Sequence, residues 1–301
     1  MNDAPDWKRE GAHWPNHEAS SFVRAAGLEW HVQRMGKGEP LLLLHGTGAS
    51  THSWAGLLPL LAEQYDVIAP DLPGHGFTSS RPSGMLSLPF VARAVSELAE
   101  QLEVTPRIIV GHSAGAAIAL SLSPRLPTMP VVIGINAAMS RFEGIASWAF
   151  PMLARLLALN PLTARIFTLG GPNPARARRL IEGTGSRLSD EGLALYARLI
   201  ADRAHVEATL QMMTQWRIDP LVDALPRITA PTLLIAATGD RAVPAATSDE
   251  AAQRMPRARV EKLTGLGHLA HEEAPDRVAG LATAFIETAT GSTTRELRLC
   301  Q

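Results

Sequence analysis

A series of short apolar segments, separated by stretches with helical periodicity, is the strongest constraint on the fold. Such segments without polar alternation are typical of strands that are buried on both faces, as in a parallel sheet. Between most of them the apolar residues recur every three or four positions, as they do from Leu88 to Leu102. Strands that alternate with helices predict a doubly wound α/β fold. The predicted core strands are Leu41–Leu44, Val67–Ala69, Ile108–Val110, Val131–Ile135, Leu233–Ala236 and Arg259–Leu263, after a predicted hairpin of Ser21–Arg24 and Leu28–Met35.

This alternation is interrupted once, between residues 139 and 217. The interrupting segment has no clear strand and several helical patterns that proline and glycine break. It also differs in charge, since it holds ten arginines, no lysine and six acidic residues in a chain whose net charge is −1. We interpret it as a helical insertion that separates two parts of one α/β core, residues 1–138 and 218–289. Residues 1–20 are predicted to form an irregular lead-in, and residues 290–301 a polar tail.

The composition narrows the class of protein. With 301 residues, 46% of them hydrophobic and 19% charged, the chain can bury a large core. A net charge of −1 gives no general attraction to nucleic acid, and no run of about 18 apolar residues predicts a transmembrane helix. The first residues lack the basic-then-apolar order of a secretory leader. The single cysteine, Cys300, excludes an internal disulfide and argues against a cysteine nucleophile, so we expect a cytoplasmic protein.

The strongest catalytic signal is a serine between two glycines, Gly111-His112-Ser113-Ala114-Gly115, placed between a predicted strand and a predicted helix. The chain must turn sharply there, and the glycines let backbone segments pass closely. The serine hydroxyl would then project from the carboxyl edge of the sheet, above a helix N-terminus whose dipole favours negative charge. We predict that Ser113 is a nucleophile. The alternative is an ordinary serine in a glycine-containing turn.

A serine nucleophile needs a base, and an acid that orients the base, and two later strands end in suitable residues. Asp240 follows the predicted strand Leu233–Ala236, and His268 lies in a glycine-bearing loop after the last predicted strand. Each alone could have another role, Asp240 as a turn cap and His268 as a surface histidine. Because Ser113, Asp240 and His268 occur in this order at the ends of parallel strands, we predict that they form a catalytic triad.

The residues that follow the first core strand, H-G-T-G at 45–48, predict the complementary part of such a site. Their glycines allow backbone N–H groups to turn towards the reacting centre. We therefore predict an oxyanion hole formed by the backbone N–H groups of Thr47 and Ala114. His45 is expected to support the loop through hydrogen bonds. The later turn Asp71–Gly76 is expected to be structural.

Two other kinds of site are alternatives to the triad. His268 and His271 lie three residues apart beside Glu272 and Glu273, and paired histidines can bind a metal on a regular helix with a third ligand. Here the preceding glycines mark a loop, and the predicted triad uses His268. Neither G-x-G-x-x-G nor G-x-x-x-x-G-K-[ST] occurs, which argues against binding of a dinucleotide or a nucleoside triphosphate. We expect no metal and no organic cofactor.

Together the serine motif, the H-G-T-G loop, the D-L-P-G-H-G turn, the late aspartate and the G-H loop resemble the α/β-hydrolase superfamily. The resemblance extends from about Trp14 to Ala289. It implies an eight-stranded, mostly parallel sheet with a helical lid inserted after strand 6, here residues 139–217. Members of the superfamily that open carbon–halogen bonds or epoxides have an aspartate nucleophile, so Ser113 argues against both activities.

Longer stretches are similar to the magnesium-chelatase accessory α/β-hydrolases encoded in bacteriochlorophyll biosynthesis gene clusters of photosynthetic bacteria. These stretches are Trp30–Gln33, His45–Trp54, Asp71–Thr78 and Val110–Ala117. The resemblance implies a role at the stage at which magnesium enters protoporphyrin, and an association with magnesium chelatase. The resemblance thus indicates the pathway in which the protein acts, but it does not identify the substrate.

The sequence therefore predicts a serine hydrolase that acts on an ester or related acyl bond of a small molecule, a tetrapyrrole or another apolar ester. One alternative is a non-catalytic tetrapyrrole-binding or chelatase accessory protein, and another is a perhydrolase or carbon–carbon bond hydrolase. Apolar lid residues and arginines could contact a tetrapyrrole, although such residues usually pack on the core or face water. The segment Ser147–Leu159 could instead lie on a membrane surface. The apolar lid residues that could contact a tetrapyrrole are Trp148, Phe150, Met152, Phe167, Met212, Met213 and Trp216.

Overall fold

The computed structural model describes residues 6–80, 86–139 and 168–291. Their centre is a sheet of eight strands: β1 (Ser20–Ala25), β2 (Leu28–Met35), β3 (Glu39–Leu44), β4 (Tyr65–Pro70), β5 (Ile108–His112), β6 (Val131–Ile135), β7 (Thr232–Ala237) and β8 (Ala258–Leu263). Their spatial order is β1-β2-β4-β3-β5-β6-β7-β8. The β1–β2 and β2–β4 pairs are antiparallel, and the remaining pairs are parallel.

The predicted doubly wound, mostly parallel sheet is confirmed. Each predicted core strand overlaps an observed strand, and the predicted hairpin forms β1 and β2. In β3, Leu42 and Leu44 face one hydrophobic core, whereas Leu41 and Leu43 face the other. Because both faces of the strand are buried, the sequence shows an unbroken apolar segment in place of polar alternation.

Helices cover both faces of this sheet. The helices are α1 (Trp7–Glu10), α2 (Leu57–Ala62), α3 (Leu88–Gln101), α4 (Ala114–Leu122), α5 (Pro174–Gly183), α6 (Asp190–Ala201), α7 (Arg203–Gln215), α8 (Asp219–Ala224), α9 (Ala246–Arg254), α10 (Ala270–Glu273) and α11 (Pro275–Thr290). Helices α3 and α4 pack in the core that contains Leu42, and α2 and α11 pack in the core that contains Leu41. Within the described ranges, no helix is long and apolar enough to cross a membrane.

Helices α5, α6 and α7 lie between β6 and β7, which confirms a helical lid after strand 6. Their N-termini are capped by the side chains of Asn173, Ser189 and Asp202, which accept backbone N–H groups of the first turn. Residues 140–167 lie outside the described residues. The proposed membrane-surface segment Ser147–Leu159 falls there, as do Trp148, Phe150, Met152 and Phe167.

The lead-in to the sheet is more ordered than predicted. Instead of an irregular segment, residues 7–10 form α1, and Trp14 is only 2% exposed. The Nε1–H of Trp14 donates to Oγ1 of Thr51 at 3.1 Å. The ring of Trp7 packs edge-on against that of Phe77, with 4.8 Å between centroids. These aromatic contacts tie the lead-in to loops at the carboxyl edge of the sheet, which a local sequence pattern does not reveal.

Candidate active site

The predicted nucleophile motif forms a tight turn between β5 and α4. Ser113 has φ 51° and ψ −113°, a strained conformation for a residue other than glycine. A β-carbon at Gly111 would collide with the backbone of Gly115, and one at Gly115 would collide with the carbonyl of Leu44 in β3. Glycine is therefore required on both sides of the serine. The turn leaves Ser113 partly exposed at the carboxyl edge of the sheet.

The predicted acid and base are in contact. His268 Nδ1 lies 2.7 Å from Oδ2 of Asp240, whose side chain is fully buried, whereas that of His268 is 11% exposed. The other carboxylate oxygen accepts the N–H groups of Ala242 at 2.7 Å and Val243 at 2.8 Å. Three donors thus surround the carboxylate. Because His268 donates from Nδ1, the lone pair of its Nε2 is available to act as a base.

Hydrogen bonds from neighbouring strands hold the His268 loop. Nδ2 of Asn136 donates to the backbone carbonyl of His268 at 2.7 Å, and its Oδ1 accepts the N–H of Ala237 at 2.7 Å. The Nε2–H of His112 donates to the same His268 carbonyl at 2.9 Å. The ends of β5, β6 and β7 and the loop after β8 therefore meet at one point, next to Ser113.

Asn136 is the residue of this site that the sequence analysis missed. It follows β6 directly, has φ 46° and is 2% exposed. The available signal is its position, because a polar residue at the end of a buried parallel strand lies at the edge where ligands bind. The same rule identified Asp240 and His268.

Ser113 lies close to His268 because the residue before it, His112, packs against the ring of His268. The ring centroids of His112 and His268 lie 4.7 Å apart, and the N–H of Ser113 donates to the carbonyl of Ile135 at 2.9 Å. Among the hydrogen bonds of the described residues, none joins Ser113 Oγ to His268 Nε2. The structure thus forms the Asp240–His268 pair beside the serine turn, and the contact between the imidazole and the hydroxyl stays a prediction.

The predicted oxyanion loop lies against the nucleophile turn. A β-carbon at Gly46 would lie 3.2 Å from Cβ of Ser113. The carbonyl of Gly46 accepts two hydrogen bonds, from the N–H of Ala49 at 3.1 Å and from Nδ1–H of His45 at 2.8 Å. In a trans peptide the N–H points away from the C=O, so these bonds fix the direction of the N–H of Thr47.

The two backbone groups predicted to form the oxyanion hole are without acceptors in the part of the chain that the structure describes: no hydrogen bond there is donated by the N–H of Thr47 or of Ala114. Ala114 is the first residue of α4, where an N–H has no acceptor within the helix. His45 keeps its tautomer because its Nε2 accepts the N–H of Leu72 at 2.8 Å. Burial lowers the pKa of His45, so the neutral ring supports the loop as expected.

The turn that begins at Asp71 joins three segments. Its fully buried carboxylate accepts the N–H of Thr51 at 2.6 Å, the N–H of Phe77 at 2.9 Å and Nδ1–H of His31 at 2.8 Å. Burial alone would raise the pKa of Asp71, but the His31 ring and these donors hold it below its ordinary value. These contacts agree with the structural role expected for the turn.

The two glutamates of the alternative metal site accept hydrogen bonds from other residues of the protein. The hydroxyl of Tyr196 donates to Oε1 of Glu272 at 2.7 Å, and the N–H of Gly267 donates to Oε1 of Glu273 at 2.9 Å. Burial raises the pKa of Glu272 to about 8 and lowers that of His271 to about 3. Among the described residues, no three His, Cys, Asp or Glu side chains are placed to bind a metal ion.

Known proteins are similar to this chain in sequence and in architecture. The sequence profile of the alpha/beta hydrolase family matches residues 41–281. The chain is 45% identical over 278 residues to the magnesium-chelatase 30 kDa subunit of Rhodobacter capsulatus, across 92% of this chain and 97% of that protein. It is 29% identical over 265 residues to a pimeloyl-[acyl-carrier protein] methyl ester esterase of Xanthomonas oryzae pv. oryzae, across 85% of this chain and 98% of that protein.

A solved structure has a similar fold. The crystal structure of a membrane phospholipase A, described as a novel bacterial virulence factor, has a TM-score of 0.75 to this chain at 25% identity. The superposition covers 91% of this chain and 87% of that one. The family profile matches most of the chain, and the chain therefore belongs to the alpha/beta hydrolase family.

Proposed function

We propose that this hydrolase cleaves an ester or related acyl bond, with Ser113 as nucleophile, His268 as base and Asp240 as the acid that orients the base. The observation that carries the proposal is the 2.7 Å contact between Nδ1 of His268 and Oδ2 of Asp240, beside a serine in a strained turn. A serine hydroxyl alone is a poor nucleophile. This pair supplies an imidazole in the tautomer that can accept its proton.

In the proposed reaction, Nε2 of His268 takes the proton of Ser113 Oγ as that oxygen attacks the acyl carbon. The electron pair of the carbonyl bond moves to its oxygen, and the N–H groups of Thr47 and Ala114 stabilise the resulting charge. One such donor contributes about 3–4 kcal/mol in comparable sites. The alcohol then leaves with the proton held by His268. Water attacks the acyl-enzyme, with His268 again as base, and releases the acid.

We place the substrate at the stage of bacteriochlorophyll synthesis at which magnesium enters the tetrapyrrole, in association with magnesium chelatase. The identity of 45% to the magnesium-chelatase 30 kDa subunit, over nearly all of both chains, supports this assignment. Helix α7 of the lid lies close to the site, since Met212 Sδ is 3.5 Å from Oγ1 of Thr47. A tetrapyrrole ester or another apolar ester is the substrate class proposed.

Covalent labelling with a fluorophosphonate probe tests the nucleophile. We expect labelling of the wild-type protein and none of Ser113→Ala, with the folded state retained in circular dichroism. Ser20→Ala is the matched control, because Oγ of Ser20 lies 3.0 Å from Nε2 of His31 and resembles a second histidine-activated serine. Ser20→Ala is expected to be labelled like wild type. Labelling that survives Ser113→Ala, or that disappears in Ser20→Ala, contradicts the assignment.

The name of the 45% identical relative favours a second candidate, an accessory protein that binds a tetrapyrrole without turnover. Complementation of a deletion strain separates the two candidates. If Ser113→Ala and His268→Ala restore pigment synthesis as well as wild type, turnover is not the biological role. Titration of the purified protein with protoporphyrin, followed by absorbance and fluorescence, tests binding directly. No change at micromolar concentration contradicts tetrapyrrole binding.

A further inference from the structure

His205 belongs to the lid, yet its ring lies against the core loop that carries Thr47. It is in the first turn of α7, where its own N–H donates to the capping carboxylate of Asp202 at 2.8 Å. The residue is 3% exposed. The proposed reaction assigns it no step, and no local sequence pattern singles it out.

Both ring nitrogens of His205 bind backbone groups of the core. The N–H of Gly76 donates to Nδ1 at 3.1 Å, and Nε2–H donates to the carbonyl of Gly48 at 3.1 Å. A backbone N–H can only donate and a carbonyl can only accept, so the ring is neutral with its proton on Nε2. Burial lowers the pKa of His205 to about 4, which agrees with a neutral ring.

The carbonyl that His205 holds flanks the proposed oxyanion donor. Thr47 lies between Gly46, whose carbonyl is bound by His45, and Gly48, whose carbonyl is bound by His205. Gly48 has φ 80°, and glycine moves between left- and right-handed backbone conformations at little cost. Hydrogen bonds to the two carbonyls therefore restrain this segment.

The rest of α7 lies along the same loop. Met212 Sδ is 3.5 Å from Oγ1 of Thr47, and a β-carbon at Gly48 would lie 3.4 Å from Cγ2 of Thr209. The first is a weak hydrogen bond, and the second distance shows that Thr209 lies close to Gly48. His205 contributes directed bonds to two different backbone segments, which set position more strictly than such contacts do.

We propose that His205 is a positioning residue for the oxyanion hole. By joining Gly48 to Gly76, it holds the loop so that the N–H of Thr47 faces the reacting carbonyl, and the lid thereby completes the site that it covers. This inference rests on the proposed function, because an oxyanion hole has a role only if Ser113 attacks a carbonyl. Stabilisation by such donors depends on fixed geometry, so a small displacement of the loop lowers the rate.

His205→Ala tests the proposal with a short p-nitrophenyl ester and with a trifluoromethyl ketone, which forms a tetrahedral adduct with a serine nucleophile. We expect kcat to fall about tenfold, less than the roughly 10²–10³-fold loss that follows complete removal of one donor. KM should change by less than about twofold, and ketone affinity should fall by the same factor as kcat/KM, because the adduct carries the oxyanion. Thr214→Val is the matched control: Thr214 lies in α7, and its hydroxyl donates to the carbonyl of Gln211 within that helix.

Three results separate this proposal from the proposed function. If wild type is labelled by the fluorophosphonate probe and His205→Ala equals it in kcat and ketone affinity, the positioning role is overturned and the hydrolase stands. A fall in kcat with unchanged ketone affinity means loss of active protein, and it also overturns the role. If wild type is neither labelled nor active, the proposed function fails and the role of His205 fails with it.

A second variant covers the case in which His205→Ala does not fold. His205→Gln has an amide that can bond to one of the two backbone groups. It is expected to lower kcat and ketone affinity together, by a smaller factor than His205→Ala. Wild-type values of both quantities in His205→Gln overturn the proposal.

Discussion

Two sets of serine, histidine and aspartate side chains occur in this protein, and they differ in what surrounds them. The proposed catalytic set is Ser113, His268 and Asp240. The second set is Ser20, His31 and Asp71, and we call it the buried set because its histidine and aspartate are fully buried. The aspartate–imidazole distances are nearly equal, 2.7 Å in the catalytic set and 2.8 Å in the buried set. In the buried set the serine Oγ lies 3.0 Å from the histidine Nε2, so a Ser–His–Asp chain of hydrogen bonds is complete. Such a chain does not by itself define an active site.

The backbone and the exposure of the rings distinguish the two sets. Ser20 begins a strand with an ordinary extended conformation, φ −82° and ψ 139°, whereas Ser113 sits in a strained turn at the N-terminus of α4. The ring of His31 is fully buried, with the ring centroid of Trp7 4.7 Å away. The ring of His268 is partly open to solvent. Only the catalytic set combines an accessible base with nearby backbone donors.

The two carboxylates also bind different kinds of partner. Asp240 accepts its backbone hydrogen bonds from residues 242 and 243 of its own turn, so its effect is local and orients one ring. Asp71 accepts them from Thr51 and Phe77, in segments on either side of it in the sequence. We infer that Asp240 matters for turnover and Asp71 for stability. Substituting each aspartate with asparagine tests this difference.

Asp240→Asn is expected to have the largest effect on turnover. The amide oxygen can still accept the backbone N–H groups, which places the amide NH₂ against Nδ1 of His268 and forces the ring proton onto Nε2. A ring in that tautomer cannot accept the proton of Ser113, so kcat should fall about 10⁴-fold. Ester hydrolysis at pH 7 measures kcat, and urea unfolding should give a free energy within about 1–2 kcal/mol of wild type. An Asp240→Asn protein with kcat within tenfold of wild type contradicts the proposed role.

Asp71→Asn is expected to act mainly on stability. Either orientation of the amide leaves its NH₂ facing the N–H of Thr51, the N–H of Phe77 or the ring N–H of His31. A buried donor without an acceptor, in place of the hydrogen bonds that the carboxylate accepts, costs about 3 kcal/mol. Urea unfolding followed by tryptophan fluorescence measures this loss, and kcat per folded molecule should stay within about tenfold of wild type. Unchanged stability together with a 10⁴-fold loss of kcat reverses the roles assigned to the two aspartates.

Local sequence patterns predicted the sheet and the catalytic set because both follow from neighbouring residues. Unbroken apolar segments predicted the buried strands. The serine between two glycines predicted Ser113, and polar residues at strand ends predicted Asp240 and His268. The same patterns did not identify Asn136 or His205. His205 contacts Gly48, 157 positions away in the sequence. Such a contact depends on where the lid packs, and the residues around a histidine in a helix do not predict it.

The contact between Ser20 and His31 could not be predicted for the same reason. It joins residues in β1 and β2 that face each other only when the hairpin register pairs Ser20 with Gln33 and Phe22 with His31. Register depends on side-chain packing across the whole sheet. The sequence thus predicted which residues could form a Ser–His–Asp set at the sheet edge, and it did not reveal that a second set of the same composition exists beside it.

A third largely buried carboxyl, that of Glu272, has a side chain 10% exposed and lies beside His271. Burial raises the pKa of Glu272 from its ordinary 4.5 to about 8, and burial lowers that of nearby His271 to about 3, so the ring supplies no positive charge. The folded state therefore binds the Glu272 proton more tightly than the unfolded state does. Its contribution to stability is complete below about pH 4.5 and is lost as the pH rises to 8, by at most about 1.4 kcal/mol per pH unit.

Glu272→Gln is expected to have the smallest effect, and one that depends on pH. The amide oxygen can still accept the hydroxyl hydrogen of Tyr196, while no proton is lost as the pH rises. At pH 8.5 the variant should be more stable than wild type by about 1–2 kcal/mol, and at pH 5 the two should agree within about 0.5 kcal/mol. Urea unfolding at both pH values measures the difference, with the exposed Glu63→Gln as a control that should follow wild type. Parallel pH profiles for wild type and Glu272→Gln contradict a protonated carboxyl at this position, and Glu272 would then be a third buried carboxylate held as an anion, like Asp71.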